Sequence, residues 1–302
     1  MRVITSAHGF SGALEAERAV GRRVGLVPTM GALHAGHRSL VTRAAAECDV
    51  VAVTVFVNPL QFDKADDLAR YPRDLDGDVL QAAEAGATIV FAPPVHEMYP
   101  GFPALVATSV HVEAVGDVLE GASRPGHFDG VATVVAKLCS LAGRSRVYFG
   151  EKDFQQLAVV RRMATDLSLP VDIVACPTVR EDDGLALSSR NVRLGPADRV
   201  AAVALSRALD AGAALVEAGQ RDPALVGAAM EAVLQATDGV SPDYAVAVDA
   251  DTLASPAVLA GAVRLLVAAT VGPVRLIDNV GLVVVGADEL HSPTAASAVG
   301  VS

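Results

Sequence analysis

The amino-acid sequence predicts an α/β fold in which a parallel sheet, with helices on both faces, is followed by a smaller α+β lobe. Through the first half of the chain, short apolar runs bounded by turn residues alternate with Ala-rich helical stretches. The runs are continuously hydrophobic, which is typical of strands that are covered on both faces of a parallel sheet. The predicted strands are residues 24–28, 50–57, 88–92, 146–149 and 171–175.

The sequence changes in character near residue 196, which predicts a second folding unit. A long Ala-rich helix is expected from Pro196, and another helix over 223–237. Strands are expected at 243–248, 263–270 and 281–285. The predicted domains are 1–178 and 179–302, and the Ser-, Ala- and Thr-rich tail after residue 288 is expected to be frayed.

Composition narrows the class of protein and of partner. The 302 residues include 24 Lys and Arg against 35 Asp and Glu, and the formal charge of -11 argues against nucleic acid as the main partner. The first residues lack a signal-peptide pattern, and Arg264 interrupts the only long apolar region near the end. We therefore expect a cytoplasmic protein that binds no membrane. Cys48, Cys139 and Cys176 lie far apart in apolar runs, which favours reduced core thiols over disulfides or zinc ligands.

The loop after the first predicted strand carries the strongest chemical signal. It contains Gly31 and Gly36, and a helix is expected over 38–48. Glycines allow close backbone approach, and free N–H groups at a helix start favour an anion such as a phosphate chain. His34 and His37 lie three residues apart, so both rings can donate to the same group. A pair of satisfied polar side chains is the alternative, but H-x-G-H directly after a buried strand favours a functional site.

This H-x-G-H segment resembles the signature of the class I nucleotidyltransferase and aminoacyl-tRNA synthetase superfamily, whose imidazoles contact ATP phosphates. Six segments, in their order along the chain, narrow the resemblance to the pantothenate synthetase family. They are PTMGALHAGH (28–37), FVNPLQF (56–62), YPRDL (71–75), RPGHFDGV (124–131), FGEKDFQQL (149–157) and REDDGLALSSRN (180–191). The C-terminal third resembles the family only in its general residue pattern and in two short segments, RLLVAA and RLIDN. The resemblance implies a Rossmann-like first domain.

The same resemblance implies an ATP-dependent ligase. In the family, the carboxylate of pantoate attacks the α-phosphorus of ATP, and the amine of β-alanine then attacks the acyl adenylate to give pantothenate and AMP. ATP is thus a substrate, Mg²⁺ is carried by ATP without an assigned protein ligand, and a homodimer is expected. Two other functions stay open: a nucleotidyltransferase that keeps the adenylyl group on its product, and a nucleotide sensor without turnover. A tRNA synthetase is disfavoured because the acidic chain has no obvious basic RNA-binding appendage.

Three loops are expected to bind ATP by this resemblance, with His34, His37 and Lys152 as the catalytic residues. The ATP-binding set is Met30, Gly31, Ala32, Leu33, His34, Ala35, Gly36, His37, Gly150, Glu151, Lys152, Asp153, Val179, Leu187, Ser188, Ser189 and Arg190. Asp153 is expected to hold a ribose hydroxyl or a magnesium-bound water. Taken alone, residues 151–153 would be a solvated charged turn and residues 187–190 a helix cap.

The acid and amine substrates are expected to contact amide side chains, namely Gln61, Gln156 and Asn58. An amide offers an acceptor and two donors without charge, which suits the orientation of hydroxyls and carboxylates that react elsewhere. Contact between substrate and Arg124 or His127 stays open at this point.

Overall fold

The structure is a computed structural model that describes residues 1–62, 65–104 and 106–285. Its larger sheet has six parallel strands in the order β1-β4-β3-β2-β5-β6. The strands are β1 (Arg2–Ile4), β2 (Val24–Thr29), β3 (Val50–Val55), β4 (Ile89–Phe91), β5 (Ser145–Gly150) and β6 (Val171–Cys176). The five predicted strands are confirmed. The prediction lacks β1 because this edge strand has three residues, of which two are exposed. The tail predicted to be frayed after residue 288 lies outside the described residues.

Helices cover both faces of this sheet, as the sequence predicts. They are α1 (Ala7–Ala19), α2 (Ala35–Glu47), α3 (Ala65–Arg70), α4 (Leu75–Glu84), α5 (Val95–Met98), α6 (Glu120–Ser123), α7 (His127–Ala142) and α8 (Phe154–Asp166). Successive strand residues point to opposite faces. Leu26 and Ala52 accordingly pack with α1, α7 and α8, whereas Val27 and Val53 pack with α2 and α4. All three cysteines are free and buried.

The second sheet is antiparallel and consists of β7 (Val240–Asp249), β8 (Gly261–Val271) and β9 (Val274–Val284), in that order. Helices α9 (Pro196–Ala201), α10 (Ala204–Glu217) and α11 (Pro223–Gln235) contribute to the same hydrophobic cluster. The single long helix predicted from Pro196 is wrong, because the chain turns at Ala202 and Val203. The Val203 N–H bonds to the carbonyl of Val200, three residues back, and the turn lets both side chains enter the core.

The small sheet and its β7–β8 connection also contribute to the hydrophobic core on one face of the larger sheet. Val248, Leu253 and Leu266 belong to the same hydrophobic cluster as α1, α7 and α8. The division of the chain at residue 178 stays a prediction. In the described part of the chain, no helix is both long enough and apolar enough to cross a membrane.

The strand order places the candidate site. From the central strand β2 the chain adds β3 and β4 on one side, and β5 and β6 lie on the other side. The order reverses between β2 and β5, and ligands of open parallel sheets bind beyond the carboxyl ends of the strands at this point. Of the three predicted ATP-binding loops, two follow these two strands.

Candidate active site

The loop after β2 has a backbone conformation that few residues adopt. Gly31 has φ 84° and Ala32 has φ 51°, so two successive residues are left-handed. The Asp78 carboxylate, from α4, accepts hydrogen bonds from the N–H of Ala32 (3.0 Å) and of Leu33 (2.7 Å). A Cβ at Gly31 would lie 2.6 Å from the Asp78 carboxylate, so this position requires glycine. The loop is therefore built around a buried acid.

Helix α2 begins at Ala35, three residues before the predicted start, because His34 caps it. The His34 Nδ1 accepts a hydrogen bond from the Gly36 N–H at 3.1 Å. Since Nδ1 is an acceptor, the proton of the neutral ring is on Nε2. Burial, and then the charge of Lys152, lowers the pKa of His34. His34 thus combines a structural contact with an Nε2 donor that has no hydrogen-bond partner among the described residues.

His37 lies in the first turn of α2, with its ring centroid 4.1 Å from that of His34. Burial is the main cause that lowers the pKa of His37 to about 3, and His34 and Lys152 lower it further. The ring is therefore neutral near pH 7. Its Nδ1 is buried without a hydrogen-bond partner among the described residues. A buried polar atom of this kind usually has a partner, which points to a ligand.

The turn after β5 brings a cation to the two imidazoles. Lys152 is mostly buried, and its ammonium donates to the Asp153 carboxylate at 3.2 Å. Burial alone would raise the pKa of Asp153, but the charges of Lys152 and Arg190 lower it, so the carboxylate is charged. The Glu151 carboxylate points elsewhere and pairs with Arg264 of β8 at 3.0 Å. Within residues 151–153, Lys152 and Asp153 are the side chains that face the imidazoles.

The third predicted ATP-binding loop reaches the same crevice. The Leu187 N–H bonds to the carbonyl of Val179 at 2.9 Å, and a Cβ on Gly36 would lie 4.0 Å from the Leu187 Cβ. Ser188 Oγ accepts from the Arg190 N–H at 3.2 Å within the loop, whereas the short helix that follows, Asn191–Arg193, has no side-chain capping hydrogen bond among the described residues. Ser189 and Arg190 are exposed at the rim. Of residues 187–190, Arg190 is the one that carries a positive charge, and this charge acts on Asp153.

Two of the predicted amides lie together at the end of β3. Asn58 is buried and donates to the Gln61 Oε1 (3.0 Å) and to the carbonyl of Gly130 (3.0 Å). Its Oδ1 accepts from the Tyr99 hydroxyl and the Leu60 N–H. All four hydrogen-bonding positions of Asn58 are therefore occupied by protein groups. Gln61 has remaining capacity, with its Nε2 2.9 Å from the Met30 sulfur. Asn58 thus holds Gln61 in place.

Arg124 and His127, left open by the sequence, hold the backbone of Gln61. The Gln61 carbonyl accepts from His127 Nδ1 at 2.9 Å and from Arg124 Nη2 at 3.3 Å. Arg124 Nη1 also lies 3.0 Å from His127 Nε2, and an arginine can only donate. His127 is therefore a neutral ring with its proton on Nδ1. The RPGHFDG segment orients the predicted substrate residue.

The two glutamines at the start of α8 have different environments. Gln155 is buried, donates to the carbonyls of Val115 and Val118, and accepts from the Glu120 N–H. Gln156 is half-buried and has no hydrogen-bond partner among the described residues. Its amide is thus free to contact a ligand.

A cavity opens at the same edge of the sheet, on the side of β3 and β4. Its volume is about 330 Å³, and its lining includes Met30, Phe56, Leu68, Asp78 and Phe102. The imidazoles and Lys152 do not line it. This mostly apolar cavity therefore lies beside the polar crevice that contains the two imidazoles and Lys152. Met30 and Asp78 line the cavity and also contact residues of the crevice loops.

Comparison with known proteins shows the family of this chain. Residues 2–281 match the sequence profile of the Pantoate-beta-alanine ligase family. The chain belongs to this family. It is 52% identical over 267 residues to a pantothenate synthetase from Moorella thermoacetica, covering 88% of this chain and 93% of that protein. The corresponding protein from Rubrobacter xylanophilus is 54% identical over 270 residues, with the same coverage of 88% and 93%.

Solved structures of pantoate-beta-alanine ligases have the same fold. Pantothenate synthetase from Thermus thermophilus has a TM-score of 0.86 and 47% identity, covering 95% of this chain and 100% of that one. The Francisella tularensis ligase, solved with Beta-gamma ATP and Beta-alanine, has a TM-score of 0.72 and 32% identity, covering 93% and 97%.

For this member of the pantoate-beta-alanine ligase family, the residues that hold the loops could not be predicted from the sequence. Asp78 supports the Ala32 turn, and Arg264 and Asn279 of the small sheet support the turn after β5. The only local signal is a polar residue inside a strand or early in a helix, and such residues are common on surfaces. Their contacts with these loops span at least 45 positions of sequence, which no local pattern reports.

Proposed function

We propose that this chain is an ATP-dependent ligase that condenses (R)-pantoate with β-alanine, through a pantoyl adenylate, and releases AMP and pyrophosphate. The observation that carries the proposal is the meeting of two neutral imidazoles and Lys152 at the switch point of the parallel sheet. Family membership, and the ATP and β-alanine bound by the Francisella relative, support it.

His37, His34 and Lys152 are the proposed catalytic residues. Neutral imidazoles can each donate one hydrogen bond to a phosphate oxygen as that oxygen gains charge, and they add no cation beside Lys152. Lys152 would supply the positive charge for the leaving pyrophosphate. The backbone of residues 30–37, with the start of α2, would hold the phosphate chain.

The remaining polar groups would position the three substrates. Gln61 and Gln156 would contact pantoate, while Asn58 would act through Gln61. Residues 187–190, with Val179 at their base, would close on the triphosphate, with Arg190 opposite its outer phosphates. Mg²⁺ would arrive with ATP and screen its charge, and the ionised Asp153 fits a magnesium-bound water or a ribose hydroxyl. Positioning and charge neutralisation supply most of the acceleration, and no covalent enzyme intermediate is required.

Pantoate-dependent exchange of labelled pyrophosphate into ATP, with β-alanine absent, tests the first step. We expect exchange in the wild type and a loss of at least ~100-fold in His37→Ala and in Lys152→Ala, the scale of removing a preorganised donor. His8→Ala, at an exposed position of α1, is the matched control and keeps the wild-type rate.

Adding β-alanine then distinguishes a ligase from a nucleotidyltransferase. A ligase releases AMP, whereas an adenylylated product that persists would overturn the proposal. Wild-type exchange rates in His37→Ala would show that the assigned role of His37 is wrong. We also propose a homodimer, on the basis of the family resemblance, and sedimentation equilibrium at micromolar concentration tests it.

A further inference from the structure

The turn that carries Lys152 is held from the small sheet. Asn279, on β9, is almost fully buried, and its Nδ2 donates to the carbonyl of Glu151 (3.0 Å) and to the carbonyl of Lys152 (2.9 Å). These are two successive carbonyls of one short turn, Glu151–Asp153. One side chain therefore fixes the backbone on both sides of the Lys152 Cα.

The Asn279 amide is itself held in a single orientation. Its Oδ1 accepts from Arg264 Nε at 2.7 Å, so its NH₂ group must face the turn. The Arg264 guanidinium also donates to the Glu151 carboxylate at 3.0 Å and lies 4.0 Å from the Phe154 ring centroid. Both donors of the amide are thus directed at the turn without freedom to rotate.

Asp278, the residue before Asn279, holds a second loop through Arg180. The Asp278 carboxylate accepts two hydrogen bonds from Arg180 (2.6 and 2.9 Å), at the base of the 180–190 segment, and one from the Asn279 N–H (2.7 Å). Consecutive residues of β9 therefore anchor the two segments that approach the imidazoles from the β5 side.

We propose that Asn279 is a positioning residue of the ligase reaction, which sets the place of the Lys152 ammonium relative to His34 and His37. This inference rests on the proposed function. A long side chain amplifies a small displacement of its backbone, and a misplacement of about 1 Å can cost about 100-fold in rate. Asn279 touches no reacting atom and acts through Lys152.

A double-mutant cycle tests the inference, with AMP release measured in the presence of ATP, pantoate and β-alanine. We expect Asn279→Ala to lower kcat by at least ~10-fold in the wild-type background, with the KM for pantoate unchanged. In the Lys152→Ala background the same change should cost less than ~2-fold, because the group through which Asn279 acts is gone.

Asn279→Asp tests the donor end of the amide separately from its acceptor end. It keeps the shape and the acceptor for Arg264 but removes both donors to the turn, so we expect at least the loss seen in Asn279→Ala. It also replaces the alanine variant in the cycle if that variant fails to fold. Ser206→Ala is the matched control, since it removes a buried hydrogen bond to the Val203 carbonyl in the same lobe and should leave kcat unchanged.

Equal losses in the two Lys152 backgrounds would overturn the inference, as would wild-type kcat in Asn279→Asp. A loss of kcat that follows the folded fraction, and that Ser206→Ala shares, would also overturn it. Absence of AMP release by the wild-type protein would instead contradict the proposed function, so the two failures are distinguishable.

Discussion

At the start of α2, His37 presents a neutral imidazole because its surroundings disfavour the charged ring. Burial contributes most, and the neighbouring His34 and Lys152 contribute further. The free N–H groups at a helix start act in the same direction. A charged ring beside Lys152 would be repelled, whereas a neutral ring still donates a hydrogen bond. In the proposed reaction, the residue would thus stabilise a phosphate oxygen without competing with the lysine.

The depressed pKa of His37 predicts a particular dependence of stability on pH. The folded-state value of about 3 lies below the ordinary 6.5, so the unfolded chain binds more protons between these values. The free energy of unfolding therefore falls as the pH falls below about 6.5, by up to about 1.4 kcal/mol per pH unit from this residue. In His37→Gln this contribution is absent.

Urea unfolding at several pH values between about 6.5 and about 4 measures the effect. We expect a shallower slope in His37→Gln by about 1 kcal/mol per pH unit. The His8→Gln protein, changed at an exposed histidine, should keep the wild-type slope. Parallel curves for His37→Gln and the wild type would mean that the His37 ring is not buried as a neutral group.

At the scale of elements, helix α4 supports the loop that connects β2 to α2. Ala32 keeps a left-handed backbone because the Asp78 carboxylate accepts two successive N–H groups around it. For a non-glycine residue this conformation costs roughly 1–2 kcal/mol, so the loop needs such support. An acid on one helix therefore shapes the backbone at the start of another, where the proposed function places the phosphate chain.

We expect Asp78→Ala to raise the KM for ATP about 10-fold and to lower the free energy of unfolding by about 2 kcal/mol, because two buried N–H groups lose their acceptor. Steady-state kinetics and urea unfolding measure these quantities. Asp76→Ala, at an exposed position in the first turn of α4, should change neither. A wild-type KM for ATP in Asp78→Ala would show that the loop keeps its shape without the acid.

Across the whole molecule, charged side chains link the small sheet to helix α6. Arg275 of β9 makes two hydrogen bonds to the Glu120 carboxylate (2.6 and 2.8 Å), and the Tyr244 hydroxyl donates to the same group at 2.9 Å. Burial, and then the Glu120 charge, raises the pKa of Tyr244. Since the Glu120 N–H also donates to the Gln155 side chain, this link extends to the start of α8.

Arg275→Met leaves the mostly buried Glu120 carboxylate without its cation, so we expect the free energy of unfolding to fall by about 2–3 kcal/mol. Urea unfolding followed by fluorescence and by circular dichroism should still give coincident transitions. In the control, Arg162→Met, the pair with Asp166 is largely exposed and its loss should cost less than about 1 kcal/mol. Equal effects of the two substitutions would contradict a stabilising role for the link.

Predictability differs between the parts of the site for a physical reason. Glycines, imidazoles and the Lys152 turn stand directly after buried strands, so local hydrophobicity and residue type place them at the sheet edge. The helix cap made by His34 and the full engagement of Asn58 could not be predicted, because both depend on the side-chain rotamers and partners chosen in the fold.

The sequence by itself determined the α/β class, the strands of the parallel sheet, and the loops that hold the imidazoles, the lysine and the amides, because each is encoded by neighbouring residues. Only the tertiary structure decided which groups remain free for a ligand and which are used as supports. Asp78 lies 46 positions from Ala32, and Asn279 lies 127 positions from Lys152. A hydrogen bond over such a separation exists only once the sheets have packed and buried both partners.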